Sequence, residues 1–182
     1  MIIILALLIA AVVFLPHIKR AVGRISFLMK LKKRCALKRY KIKMNNIFFA
    51  LLSNFSSGYH LTIDTGKTVY ALRFWDEVYK NSSVFFGSDM RVRSSRKVPD
   101  TFGNGRKKAF RVSERELGKF PRLAPPNIEG RRTVCVLVMH PSDAGCFYQG
   151  DGIACEIRRG NKLYGMLVVS RAELLGALGK GT

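Results

Sequence analysis

The residues best equipped for chemistry sit in one short stretch. His140, Ser142, Asp143 and Cys146 bring an imidazole, a hydroxyl, a carboxylate and a thiol into the segment HPSDAGC. Such a set could supply an imidazole-activated thiolate, with Cys146 as nucleophile and His140 as base. With Cys155, Asp143 and Asp151 it could also offer zinc ligands. The spacing favours neither chemistry. There is no C-x2-C or H-x3-H pair, and neither G-x-S-x-G nor a cysteine-protease signature surrounds these residues. A turn held by Ser142 and Asp143 hydrogen bonds is the simpler reading. His140, Ser142 and Asp143 stand as the candidate loop site because strand ends commonly carry ligands. No catalytic residue, metal or cofactor is expected.

Other motifs carry still less. Asp64 followed by TVYALRF resembles the hairpin of restriction-endonuclease-like nucleases, where one acid and an acid-x-Lys on the next strand hold a divalent metal. Here the latter positions are Ala71 and Arg73, which removes the metal site. Gly103 and Gly105 lack the G-x4-G-K-[ST] pattern of a phosphate-binding loop. Of the four cysteines, Cys135 lies in an apolar strand and is expected to be a small buried hydrophobe.

The elements that would position these residues come from patterning. The 182 residues suit one ordinary domain, and 48% apolar content excludes a wholly disordered chain. From Tyr59 the period is two: Tyr59 to Asp64, a turn at Thr65-Gly66-Lys67, and Thr68 to Trp75 predict a hairpin. A third strand is expected over Val84 to Val92, a short one over Lys107 to Val112, and a helical turn over SERELGKF. The run TVCVLVM from Thr133 to Met139 predicts a central strand buried on both faces. Ile153 to Arg158 and Leu163 to Val169 read as a closing hairpin about Gly160-Asn161. Ser170 and Glu173 form a capping box opening a last short helix.

Charge is placed unevenly. Eleven Lys/Arg lie between Lys19 and Lys43, and no acid precedes Asp64. Arg91 to Arg132 hold 13 basic and 4 acidic residues, and the rest of the domain is balanced. Before the first zone, Ile2 to Leu15 is an unbroken apolar run; counted over residues 1–18 it approaches the ~20 residues of a spanning helix. Nothing basic precedes it and no small-residue cleavage pattern follows, so an anchor is expected over a signal peptide. The positive-inside rule then predicts a single pass, N-terminus out, with the following domain cytoplasmic.

Residues 19–44 are expected to form a basic amphipathic segment. Ile18, Val22, Ile25 and Met29, widened by Leu28, Leu31 and Cys35, make one apolar stripe. Lys19, Arg20, Lys30, Lys32, Lys33, Arg34, Lys38 and Arg39 are the candidate contacts to anionic lipid. Residues 45–58 read as a short apolar helix or connector. The fold class expected is α+β: a single transmembrane helix and a basic amphipathic helix, then a small, mostly antiparallel sheet domain over 59–182 with a short C-terminal helix. The functional expectation is a membrane-anchored, non-enzymatic domain that binds an unknown protein partner or scaffolds at the membrane surface. Nucleic acid is the competing partner, through Arg91, Arg93, Arg96, Lys97, Arg106, Lys107, Lys108 and Arg111, with Phe102, Phe110 and Phe120 interleaved. An enzyme without a recognisable signature is the remaining alternative.

Overall fold

Alternation along Thr68–Asp76 and Arg132–His140 sends successive side chains to opposite faces, and both faces are apolar. A strand built this way is stable only between two layers, and that is where both lie. The computed structural model describes residues 2–45, 51, 53–55, 58–76, 82–99, 110–128, 130–140, 145–150 and 153–179. Side chains are described for these except 2–14, 16–17, 97–99, 110–112 and 179.

The chain begins with helix α1 (Ile2–Leu37). Strands β1 (Lys41–Met44), β2 (Leu61–Asp64) and β3 (Thr68–Asp76) follow, then β4 (Ser82–Gly87), β5 (Arg91–Pro99) and β6 (Phe110–Lys119). Next come β7 (Arg132–His140), β8 (Cys146–Gly150), β9 (Ile153–Glu156), β10 (Lys162–Leu163) and β11 (Met166–Ser170), and helix α2 (Arg171–Gly179) ends the described chain. The strands make two mixed sheets, in the orders β1-β2-β3-β7-β11-β10 and β6-β5-β4-β8-β9. The fold is α+β.

Three layers result. Leu72, Phe74, Val136 and Val138 of the first sheet pack with Phe27, Leu31 and Cys35 of α1 and Leu174 and Leu178 of α2. From the opposite face Ala71, Trp75, Leu137 and Met139 meet Val84, Phe86 and Val92 of the second sheet, with Phe120 between. The chain crosses from first sheet to second twice in the same sense, β3 to β4 and β7 to β8. The parallel pairings β3/β7 and β4/β8 record this.

The hairpin of β2 and β3 and the central strand β7 form where the sequence places them. Gly66, at φ +92°, takes the turn conformation that a side chain resists, and its N–H donates to Asp64 Oδ1 at 2.8 Å. The capping box closes reciprocally, Ser170 N–H to Glu173 Oε2 at 2.7 Å and Glu173 N–H to Ser170 Oγ at 3.1 Å.

Four expectations are corrected. The strand expected over Val84 to Val92 is two strands, because Met90 (φ +65°) and the Met90 N–H to Gly87 O bond turn the chain between β4 and β5. SERELGKF is strand, not helix: β6 pairs along β5, and tertiary pairing overrides a local cap signal. Ile153 to Arg158 and Leu163 to Val169 do not pair as one hairpin. β9 joins β8 in the second sheet, while β11 lies beside β7; the chain does turn at Gly160 (φ +84°), but the hairpin turn, between β10 and β11, is Tyr164-Gly165, both at positive φ. The one sheet expected is two mixed sheets: most strand pairs are antiparallel, but β7 is parallel to both neighbours and β4 is parallel to β8.

Among the described residues no helix is long and apolar enough to cross a membrane. The anchor expected over 1–18 falls on residues whose side chains lie mostly outside the described set, as does most of the connector expected over 45–58.

Candidate functional site

Strands β3, β7 and β11 run parallel and end together. Asp76 is in register with His140, and Met139 with Ser170, so one carboxyl edge gathers Asp76, His140 and the start of α2. That is the edge where open sheets commonly bind ligands. Here it holds a buried ionic clamp. Asp76 falls on the helix-facing side of β3, where Arg24 Nε of α1 bonds its Oδ2 and Arg171 Nη2 of α2 bonds its Oδ1 at 2.8 Å. Arg24 also donates to Ser53 O at 2.9 Å and to Asn54 Oδ1, and Arg171 donates to Gly23 O at 3.0 Å. Asn54 pairs with the Asp76 backbone in both directions, at 3.0 and 3.1 Å. Burial pulls the Arg24 pKa down while the Asp76 carboxylate pushes it up. Both Asp76 oxygens are engaged by guanidinium groups, so the carboxylate acts as a fastener between α1, α2 and β3 and not as a free base.

Two further buried polar side chains lie beside the clamp. Arg73 faces the second sheet, with its guanidinium 4.4 Å from the Phe120 ring centroid and a 3.0 Å bond to Asn54 O. Burial first, and then the neighbouring Arg24, bring its pKa down to about 10, against the opposing pull of Tyr59. His60 stacks on Phe74 at 5.4 Å, and its Nδ1 accepts the Phe74 backbone N–H at 2.9 Å. Burial, with Arg24 and Arg73 nearby, pushes its pKa down to about 3.

The linkage sign follows. Unfolded His60 takes up a proton near pH 6.5 whereas folded His60 does so only near pH 3, so the unfolded state binds more protons between these values. Stability is full above about pH 6.5 and falls as pH drops, by up to ~1.4 kcal/mol per unit. Urea midpoints measured from pH 7 to pH 5, before carboxylates protonate, should fall for the wild type and stay flat for His60→Gln. Parallel slopes would show that another group carries the pH dependence.

Of the expected loop site, His140 is exposed at the end of β7, and Ser142 and Asp143 lie outside the described residues. Cys146 is buried, Cys155 is exposed on β9, and the half-buried Cys135 accepts a hydrogen bond from Tyr59 Oη at 3.0 Å. Among the described residues no three His, Cys, Asp or Glu side chains gather as metal ligands. Of the polyanion patch, Arg91, Arg93 and Arg96 are exposed on β5, while the Lys97 and Arg111 side chains and all of Arg106, Lys107 and Lys108 lie outside the described set. Arg91 faces Asp89 at 3.4 Å and Glu116 at 3.7 Å, which offsets its charge. Beside it Phe85 and Phe147 stack at 5.2 Å, next to a recess of about 280 Å³.

The lipid-surface residues divide. Lys19, Lys30, Lys32, Lys33, Lys38 and Arg39 are exposed, Arg20 is half-buried, and Arg34, also exposed, donates to Leu175 O at 2.8 Å. The single apolar stripe expected on this helix is corrected to two. Phe27, Leu31 and Cys35 enter the core, whereas Leu15 (50%), Ile18 (56%), Val22 (60%), Ile25 (43%) and Met29 (68%) stay exposed on the other side. Arg24, Asn54, His60, Arg73, Asp76 and Arg171 were not legible as a cluster. The available signal was a lone arginine in each of two apolar settings, Arg73 within TVYALRFW and Arg24 on the core face of α1.

Compared with protein-family models, curated proteins and solved structures, the chain matches none.

Proposed function

We propose that this chain is a membrane-surface module: residues 1–18 insert in the bilayer, and the α+β domain is mounted on the cytoplasmic face as a non-enzymatic platform for a protein partner. The observation that carries it is the continuity of α1. The helix that begins in the apolar run ends inside the domain core, through Phe27, Leu31 and Cys35, and is fastened by Arg24 to Asp76. A domain attached in this way follows its anchor as one body. The exposed lysines along α1 suit an anionic leaflet, at about 1 kcal/mol each near the surface. The engaged carboxylate at the sheet edge favours a binding module over an acid–base enzyme.

Cys155 supplies the test of insertion and orientation, because it is an exposed native thiol on the far sheet. The full chain should float with vesicles, and in cells a membrane-impermeant maleimide should modify Cys155 only after permeabilisation. Labelling on intact cells overturns the orientation, and failure to float overturns the reading. The stacked Phe85–Phe147 pair beside Arg91 and Arg93 favours a second reading, a single-stranded nucleic acid laid on the outer face of the second sheet. Salt-sensitive binding of an oligonucleotide by the full chain, lost in Phe147→Ala, would support it.

A further inference from the structure

The exposed stripe of α1 does not end in solvent. Leu15, Ile18, Val22, Ile25 and Met29 recur at alternating steps of three and four, which keeps them on one side of a 3.6-residue helix. At its C-terminal end this stripe opens into a groove of about 340 Å³ between α1 and the edge strand β1. Ile25, Leu28 and Met29 form one wall and Ile42 and Met44 the other, with Lys32 at the rim. The volume lies at the lower end of ligand pockets, about 300–1,000 Å³.

We infer that this groove takes one acyl chain of an anionic phospholipid, with Lys32 beside the headgroup; the inference rests on the membrane reading proposed above. Two observations select that occupant. First, the groove continues the exposed apolar stripe, which runs back along α1 to Leu15, the last residue of the apolar run 2–15 in the sequence. Second, every charge on this part of the chain is positive. Lys19 and Lys30 flank the stripe on one side and Lys32 on the other, and no acid precedes Asp64. A second copy would set the same lysines against one another, whereas an anionic lipid satisfies both the apolar walls and the basic rim.

The chain's own methionines report on it. Met29 faces both the stripe and the groove, while Met44 lines the groove from β1. Full chain carrying photoactivatable methionine would be bound to phosphatidylglycerol or phosphatidylcholine vesicles, irradiated and mapped by mass spectrometry. Lipid adducts are expected at both Met29 and Met44, severalfold more from phosphatidylglycerol, with Met139 and Met166 in the buried core unmodified. Lys32→Glu should reduce the Met44 adduct severalfold while flotation persists. An adduct at Met29 without one at Met44 means that the protein meets the membrane but the groove is empty, which overturns this inference alone. Equal Met44 yields from the two lipids, or no effect of Lys32→Glu, overturn the headgroup assignment. Loss of flotation and of both adducts overturns the membrane reading itself.

Discussion

Asp76→Asn is expected to destabilise the domain by about 3–5 kcal/mol, a large share of a total stability of ~5–15 kcal/mol. The asparagine is nearly isosteric and can still accept one hydrogen bond. It removes the negative charge from between two guanidiniums held within the helix-facing layer, and Arg171 Nε already has no hydrogen-bond partner among the described residues. Arg24, buried, and Arg171, half-buried, then repel one another with no carboxylate between them, although Arg24 keeps its bonds to Ser53 O and Asn54 Oδ1 and Arg171 its bond to Gly23 O. Unpaired charge, not lost hydrogen bonds, should dominate the loss. The triple variant Arg24→Met, Asp76→Leu, Arg171→Met discriminates, since replacing a whole buried ionic group by apolar residues is often close to neutral. Chemical denaturation should place the triple variant well above Asp76→Asn. Equal instability would mean that the hydrogen bonds to Ser53, Asn54 and Gly23 carry the fastening.

What could be read in advance is what neighbours in sequence decide. The β2–β3 hairpin needs only alternation and a glycine at positive φ, and the capping box needs only Ser170 and Glu173. β7 announces itself because a strand apolar on both faces suits only the middle of a layered fold. The clamp could not be found this way. Arg24 and Asp76 lie 52 positions apart, and Asp76 and Arg171 lie 95 apart, so no periodicity joins them. β6 was obscured for a related reason: Ser113 and Glu116 satisfy a helix cap on paper, but Glu116 is in register with Arg93 across β5. The helix α1 misled more subtly. Its sequence carries apolar residues on two faces, and hydrophobic spacing does not distinguish a face that enters the core from one left outside. Only the position of the first sheet assigns Phe27, Leu31 and Cys35 to the interior and Ile18, Val22, Ile25 and Met29 to the surface. The surface assignment is what gives the lysines of this helix an apolar companion, and hence a lipid rather than a purely ionic partner.

Val136→Asp should abolish the fold outright. Val136 is bracketed by Leu72 of β3 and Leu167 of β11, and its side chain enters the layer formed by Phe27, Leu31, Phe74 and Leu174. A carboxylate there has no room for water and only hydrocarbon as its surroundings. Burying an ion without a partner costs more than the whole stability of a domain, so the chain would unfold or hold the acid protonated at a large remaining cost. Val136→Ala separates charge from volume: it removes two methyl groups and should cost roughly 1–3 kcal/mol through lost burial and a residual cavity. Arg132→Asp, at the exposed start of the same strand, should change stability by only about 0.5 kcal/mol. Circular dichroism and urea unfolding of the three variants test the series as a whole. If Val136→Asp melts cooperatively near the wild type, β7 is not the strand on which the helix layer and the two sheets close. The clamp at its carboxyl edge would then have to hold the helices to the sheet without it.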